Sequence, residues 1–129
     1  MIRHRFRVIS GALLLLIGAA ASAEAQELGR GAFTGQSGHR ASGHVSVART
    51  ESGAVLRLER DFRFDGAPDP KLGFGRGGYR KETQFSPLLR NVGPAEYAVP
   101  AEIDVGQYDE VWLWCEKFDV PLGVAKLTR

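Results

Sequence analysis

Cys115 is the only cysteine in the sequence, and no other residue type in it has so wide a chemical reach. A thiolate attacks disulfides, reacts with oxidants and binds soft metals, so a lone cysteine is a candidate for redox or ligand chemistry. Beyond residue 25 the chain has two histidines, His39 and His44. At that spacing in a regular strand they fall on opposite faces, unless Gly43 between them forms a bulge. They match neither a His-x-x-x-His helical zinc pair nor, with one cysteine, any Cys-x-x-Cys site. A serine triad needs a nucleophile-elbow motif, which is absent, so hydrolase chemistry is not indicated. Asp65 and Asp69 lack the spacing of a calcium loop and read as turn-capping acceptors. The run Gly73-Phe74-Gly75-Arg76-Gly77-Gly78 lacks the lysine and serine of a phosphate loop, and no capped helix follows it, so it reads as a hairpin tip.

The element that must position the thiol is Asp109-Glu110-Val111-Trp112-Leu113-Trp114-Cys115-Glu116-Lys117-Phe118, which also holds both tryptophans. Its alternation predicts a strand with Val111, Leu113 and Cys115 on one face and Trp112, Trp114 and Glu116 on the other. Both faces carry bulky apolar groups, so the strand is expected to be central and covered on each side. The plain reading of Cys115 is then a small core hydrophobe in phase with Val111 and Leu113. The two tryptophans read as core aromatics covering the second layer of a sandwich.

The other segments supply short strands and turns. A short strand is expected around Ala32–Thr34 and a longer, half-buried one from His39 to Thr50. Glu51-Ser52-Gly53 joins the latter to a second strand as a hairpin. In that second strand Leu56, Leu58, Phe62 and Phe64 fall on one side and Arg57, Glu59, Asp61, Arg63 and Asp65 on the other, with Arg60 breaking the apolar row. The charged side reads as solvated, mixed-sign surface. Asp65-Gly66-Ala67-Pro68-Asp69-Pro70 ends the strand. Phe85 to Pro94 reads as a bulging loop with apolar anchors, Glu96 to Pro100 as a short extended piece, Ala101 to Tyr108 as one helical turn, and Pro121 to Leu127 as a last strand. Short strands at turn-marked spacing predict an all-β fold, a single small β-sandwich or barrel of antiparallel strands.

Residues 1–25 read as a signal peptide. Arg3, Arg5 and Arg7 form a basic start, Val8–Ala21 an apolar run, and Ala21-Ser22-Ala23 or Ala23-Glu24-Ala25 a cleavage pattern. The run is short for a membrane span, which takes about 20 apolar residues. A periplasmic or secreted location is therefore expected, with residues 26–129 as one domain and no stable membrane insertion after cleavage. The chain has 17 Lys and Arg against 15 Asp and Glu, but the segment beyond residue 25 carries 14 of each. Its charges are interspersed, which argues against nucleic acid as a partner. One cysteine allows no internal disulfide, so packing and hydrogen bonds must hold the fold in an oxidising compartment.

Taken together, Gly31-Ala32-Phe33, Gly38-His39-Arg40-Ala41-Ser42-Gly43-His44-Val45-Ser46-Val47, Leu56-Arg57-Leu58, Phe62 to Asp69, Tyr97 to Pro100, Tyr108 to Cys115 and Phe118 to Leu127 resemble the DM-thirteen domain family, also called the electron-transfer DM domain. The resemblance implies a small extracytoplasmic β domain whose cysteine takes part in a redox reaction, as a bare thiol or by holding a prosthetic group such as haem or another metal centre. Cys115 matches that cysteine, and His39 matches the family's histidine ahead of a glycine. The chain has room for this domain alone, so its electron donor and acceptor are expected to be separate molecules.

Such a site needs its thiolate, and hence a cation, a metal or donor groups nearby. Lys117, on the same face of a continuing strand, or His39 would serve. If Cys115 instead holds iron or copper, a thiolate with one or two histidines is a suitable donor set. Two other readings stand beside this one. In the first, Cys115 is structural and the fold is a binding module that presents its loops, so that the partner is a cell-surface protein rather than a separate redox protein. In the second, Cys115 forms an intermolecular disulfide.

Overall fold

The computed structural model describes residues 11–15 and 25–129. The expected signal segment lies almost entirely outside the described residues, and no helix among those described is long and apolar enough to cross a membrane.

The chain from residue 25 is all-β. Its strands are β1 (Gln26–Gly35), β2 (Ala41–Ser42), β3 (His44–Thr50), β4 (Gly53–Leu58), β5 (Arg63–Phe64), β6 (Pro70–Gly75), β7 (Tyr79–Arg80), β8 (Ser86–Pro87), β9 (Ala95–Ala98), β10 (Glu110–Cys115) and β11 (Val120–Lys126). Two single 3-10 turns, Lys81–Thr83 and Val105–Gln107, are the helical pieces among the described residues. The second stands where one helical turn was expected.

The main sheet runs β7-β6-β10-β11-β1-β3-β4-β9, with β8 also on β6, and every pairing is antiparallel. It curls into a half-barrel rather than stacking as two layers. The curl is set by β1, which is far longer than the short strand expected there. Its residues 26–32 pair with β3 and 33–35 with β11, with a register shift between Glu27 and Gly29. One strand thus serves both halves of the sheet, and a bulge of this kind increases local bend and twist.

The β3–β4 hairpin forms about the expected turn. The long amphipathic strand does not run through: β4 stops at Leu58, the chain turns over Glu59–Phe62, and β5 is a separate two-residue piece. The apolar phase survives the break, because Leu56, Leu58, Phe62 and Phe64 are all buried. Arg60, the residue that interrupted the apolar row, is in the turn.

β5 pairs with β2 in a two-stranded ribbon that sends Ala41 and Phe64 into the core. Gly43, between β2 and β3, has φ +87°, and a Cβ there would overlap the backbone of Asp61 and Phe62. The backbones thus approach closely at this glycine, which lets the ribbon fold onto the barrel.

Candidate functional site

Cys115 is the last residue of β10, opposite Pro70 of β6 and Val120 of β11. β10 is a central strand, as expected, and its burial alternates in the expected phase: Val111, Leu113 and Cys115 face the core, and Trp112 and Trp114 are half-buried on the other side. Cys115 is 1% exposed and belongs to the same cluster as Leu72, Phe74 and Leu122. None of the three principal surface clefts is lined by it.

The strand does not continue to Lys117. After Cys115 the backbone turns over Glu116–Asp119, and Asp119 adopts a left-handed φ of 51°. Asp69 fixes this turn by accepting the Lys117 backbone N–H at Oδ2, 3.0 Å away, while its carbonyl accepts the Glu116 N–H at 3.1 Å. Lys117 is exposed, with its ammonium 5.5 Å over the Phe118 ring. The cation expected beside the thiol is thus turned outward. Asp69 does accept hydrogen bonds as expected, but from the far side of the chain.

His39 lies in the loop before β2. Its Nδ1 is 3.1 Å from Asp65 Oδ1, and Asp65 Oδ2 accepts the Arg40 N–H at 2.9 Å. His44 opens β3, and its Nδ1 and backbone N–H both reach the Asp61 carboxylate, at 2.5 and 2.8 Å. The two imidazoles therefore sit at opposite ends of the β2–β5 ribbon, each clasping an aspartate from across it. Asp61 is held below the usual carboxylate range, chiefly by the His44 amide and then by its ring. Asp65 is held low chiefly by the Arg40 amide, with His39 adding to it. A carboxylate can only accept, so Nδ1 is the donor in each pair.

No hydrogen bond or ion pair joins either imidazole to Cys115. Among the described residues no three His, Cys, Asp or Glu side chains are grouped to hold a metal ion. The sulfur of Cys115 is thus enclosed by apolar neighbours rather than by charged or metal-ligating side chains.

Asp65 accepts a backbone N–H as expected, but the pairing of Asp61 and Asp65 with the histidines escaped sequence reasoning because both lay on the charged side of the amphipathic segment. That side is paired rather than simply solvated: Arg57 meets Glu96 at 3.1 Å and Glu59 meets Arg30 at 3.5 Å. The signal available was the pair of aspartates on one face of a segment downstream of two histidines.

The outer face of β10 corrects a second expectation. Trp112 and Trp114 are not covered by another sheet. Tyr79 of β7 stacks on Trp114 with centroids 4.4 Å apart and planes 14° apart, and the two indoles meet edge to face at 6.1 Å. Room for the three rings comes from β6: a Cβ at Gly73 would stand 2.8 Å from the Tyr79 ring, and one at Gly75 would overlap the Trp112 indole. The glycines of the expected hairpin are needed in the strand as much as at its tip. Because the sheet curls to enclose one face, the opposite face keeps its aromatics partly in water.

The sequence pattern of the family described as Electron transfer DM13 matches residues 32–127. The chain belongs to that family. The match takes in both histidine–aspartate pairs, the aromatic group and Cys115, so the DM13 domain is the whole half-barrel apart from the first residues of β1. No curated protein and no solved structure matches the chain.

Proposed function

We propose that the protein is an exported redox domain that exchanges electrons with a separate redox protein, and that Cys115 is its redox residue. The observation that carries this reading is the match to the electron-transfer family across residues 32–127, which includes the chain's only cysteine. Export is supported by the basic start, apolar run and small-residue cleavage pattern in residues 1–25. Burial constrains the chemistry. A sulfur closed off by Val111, Leu113 and the neighbouring strands is shielded from bulky thiols and disulfides, so direct exchange through a mixed disulfide is not its mode of action.

A second reading, a binding module with a structural cysteine, draws on a specific contrast. Leu89 and Val92 in the loop after β8 are 70% and 47% exposed while Cys115 is 1% exposed. On this reading the loop meets a cell-surface protein and the sulfur only fills space.

The test is a mediated redox titration of the protein from the periplasm of an exporting host, beside Cys115→Ala, with a visible spectrum and a thiol titration of each. Alanine is the better control, because a serine hydroxyl buried there without a partner costs about 1–3 kcal/mol. A redox wave lost in Cys115→Ala, with the fold retained, is the expected result; a visible band lost with it identifies a prosthetic group. Superimposable titrations, with a thiol that reacts only after unfolding, return Cys115 to the core and favour the binding module.

A further inference from the structure

The aromatic group on the outer face of β10 has chemistry of its own. Both tryptophans of the chain are in it, and both indoles give their N–H to a carboxylate. Trp114 Nε1 donates to Asp119 Oδ1 at 3.0 Å and Trp112 Nε1 to Glu110 Oε1 at 3.4 Å. Tyr79 differs, since its O–H donates to the amide oxygen of Gln84 at 3.1 Å. Gln84 in turn donates to Glu116, and Lys81 Nζ lies 3.9 Å from Asp119.

An indole that gives up one electron becomes a far stronger acid, and its oxidation is eased by a base already hydrogen-bonded to the nitrogen. Asp119 supplies that base to Trp114 at the shorter of the two distances. A stacked ring spreads the charge, and the negative charges of Asp119 and Glu116 favour its formation. The phenol has the opposite setting. Losing an electron also means losing a proton, but an amide oxygen is no useful base, and burial followed by the charges of Glu116, Asp119 and Glu82 pushes the Tyr79 hydroxyl up to about 12. The electron vacancy therefore settles on the indole and not on the phenol.

We propose that Trp114 is a one-electron redox residue of this protein, with Asp119 as its proton acceptor and Tyr79 as the ring that positions and supports it. In the forward step a high-potential metal complex takes one electron from the indole. The Nε1–H bond breaks, an O–H bond forms on Asp119, and a neutral tryptophanyl radical remains. In the return step a reduced metal complex gives back the electron and Asp119 gives back the proton. The inference deepens the electron-transfer reading and rests on it for its physiological setting. It moves the accessible redox group to the partly exposed face of the strand, one residue along the chain from the sealed sulfur. The radical is read by its own absorption and does not pass through the thiol, so this proposal and the Cys115 reading can fail independently.

The experiment is flash photo-oxidation of the full chain by a ruthenium polypyridyl complex with a sacrificial acceptor, followed by transient absorption. The wild type is expected to give the neutral tryptophanyl spectrum. Trp114→Phe should lose most of it. Asp119→Asn is the sharper variant: asparagine tolerates the left-handed backbone and still accepts the indole N–H, but is not basic. It should shift the product to the protonated radical-cation spectrum and slow the loss of the proton. The proposal is overturned if Asp119→Asn forms the neutral radical at the wild-type rate, if the radical is lost in Trp112→Phe rather than Trp114→Phe, or if the end product is a tyrosyl radical that disappears in Tyr79→Phe.

Discussion

The two faces of β10 are built from adjacent residues and do opposite things. Inward, Val111, Leu113 and Cys115 are closed off by apolar neighbours, and among the described residues no hydrogen bond reaches the sulfur. Outward, Trp112 and Trp114 keep polar atoms in contact with carboxylates and part of their surface in water. In one strand, alternation thus separates a residue closed off from solvent from residues that meet it directly. Chemical reach on paper and access in the fold are different properties.

The most direct way to break this contrast is to truncate each face in turn. Leu113→Ala removes a fully buried side chain and should cost about 2–5 kcal/mol. Trp114→Ala removes a larger side chain that is not fully withdrawn from water, and should cost about 2 kcal/mol, below the 3–5 kcal/mol of a core tryptophan. Urea unfolding of the two variants decides the matter. A larger loss for Trp114→Ala than for Leu113→Ala would mean that the outer face is the core.

How much of this was legible in the sequence follows the same division. Period-two alternation placed Cys115 beside Val111 and Leu113 and made β10 central, because side-chain direction in a strand is a local property. The two hairpins followed from turn chemistry for the same reason. What alternation cannot say is what covers a face. The tryptophan face read as covered by a second sheet, whereas the strand glycines Gly73 and Gly75 cradle it against Tyr79 and the sheet curls away. Nor could it show that Asp61 and Asp65 would turn back to the histidines, since that depends on where β4 breaks. Lys117 was misplaced because a strand end is set by Asp69, 48 residues earlier in the chain.

Thr83 offers a finer probe of the outer face. It is 1% exposed, and its hydroxyl lies 2.7 Å from the Phe74 N–H, 2.9 Å from the Phe74 carbonyl and 2.6 Å from that of Arg80. These contacts hold the Lys81–Thr83 turn against β6, just past Tyr79. Thr83→Val keeps the shape but takes away the acceptor for the Phe74 amide, which should cost about 1–3 kcal/mol. The Tyr79–Trp114 stack should loosen with it, seen as altered tryptophan fluorescence in the native state. Loss of stability with native fluorescence unchanged would separate the turn from the aromatic group.

The smallest effect is expected at the β2–β5 ribbon, where acid should act while the sealed face of β10 does not respond. Asp61 and Asp65 have their folded values lowered from 3.8 by amide and histidine hydrogen bonds. In the acid range the unfolded chain therefore binds more protons at these positions than the folded one, and stability rises with pH. Their contribution is fully present above the unfolded value of 3.8 and is lost as pH falls through the lower folded values. Both carboxyls are open to solvent, so the effect is modest and salt-sensitive. Asp61→Asn with Asp65→Asn removes both carboxylate charges from the ribbon at every pH. At neutral pH this variant should unfold at a lower urea concentration than the wild type, and the gap should close as both are taken from about pH 5 to about pH 2. A gap that stays constant over that range would show that the aspartates act by shape and hydrogen bonding alone. Their charge would then take no part in clasping His39 and His44 across the ribbon.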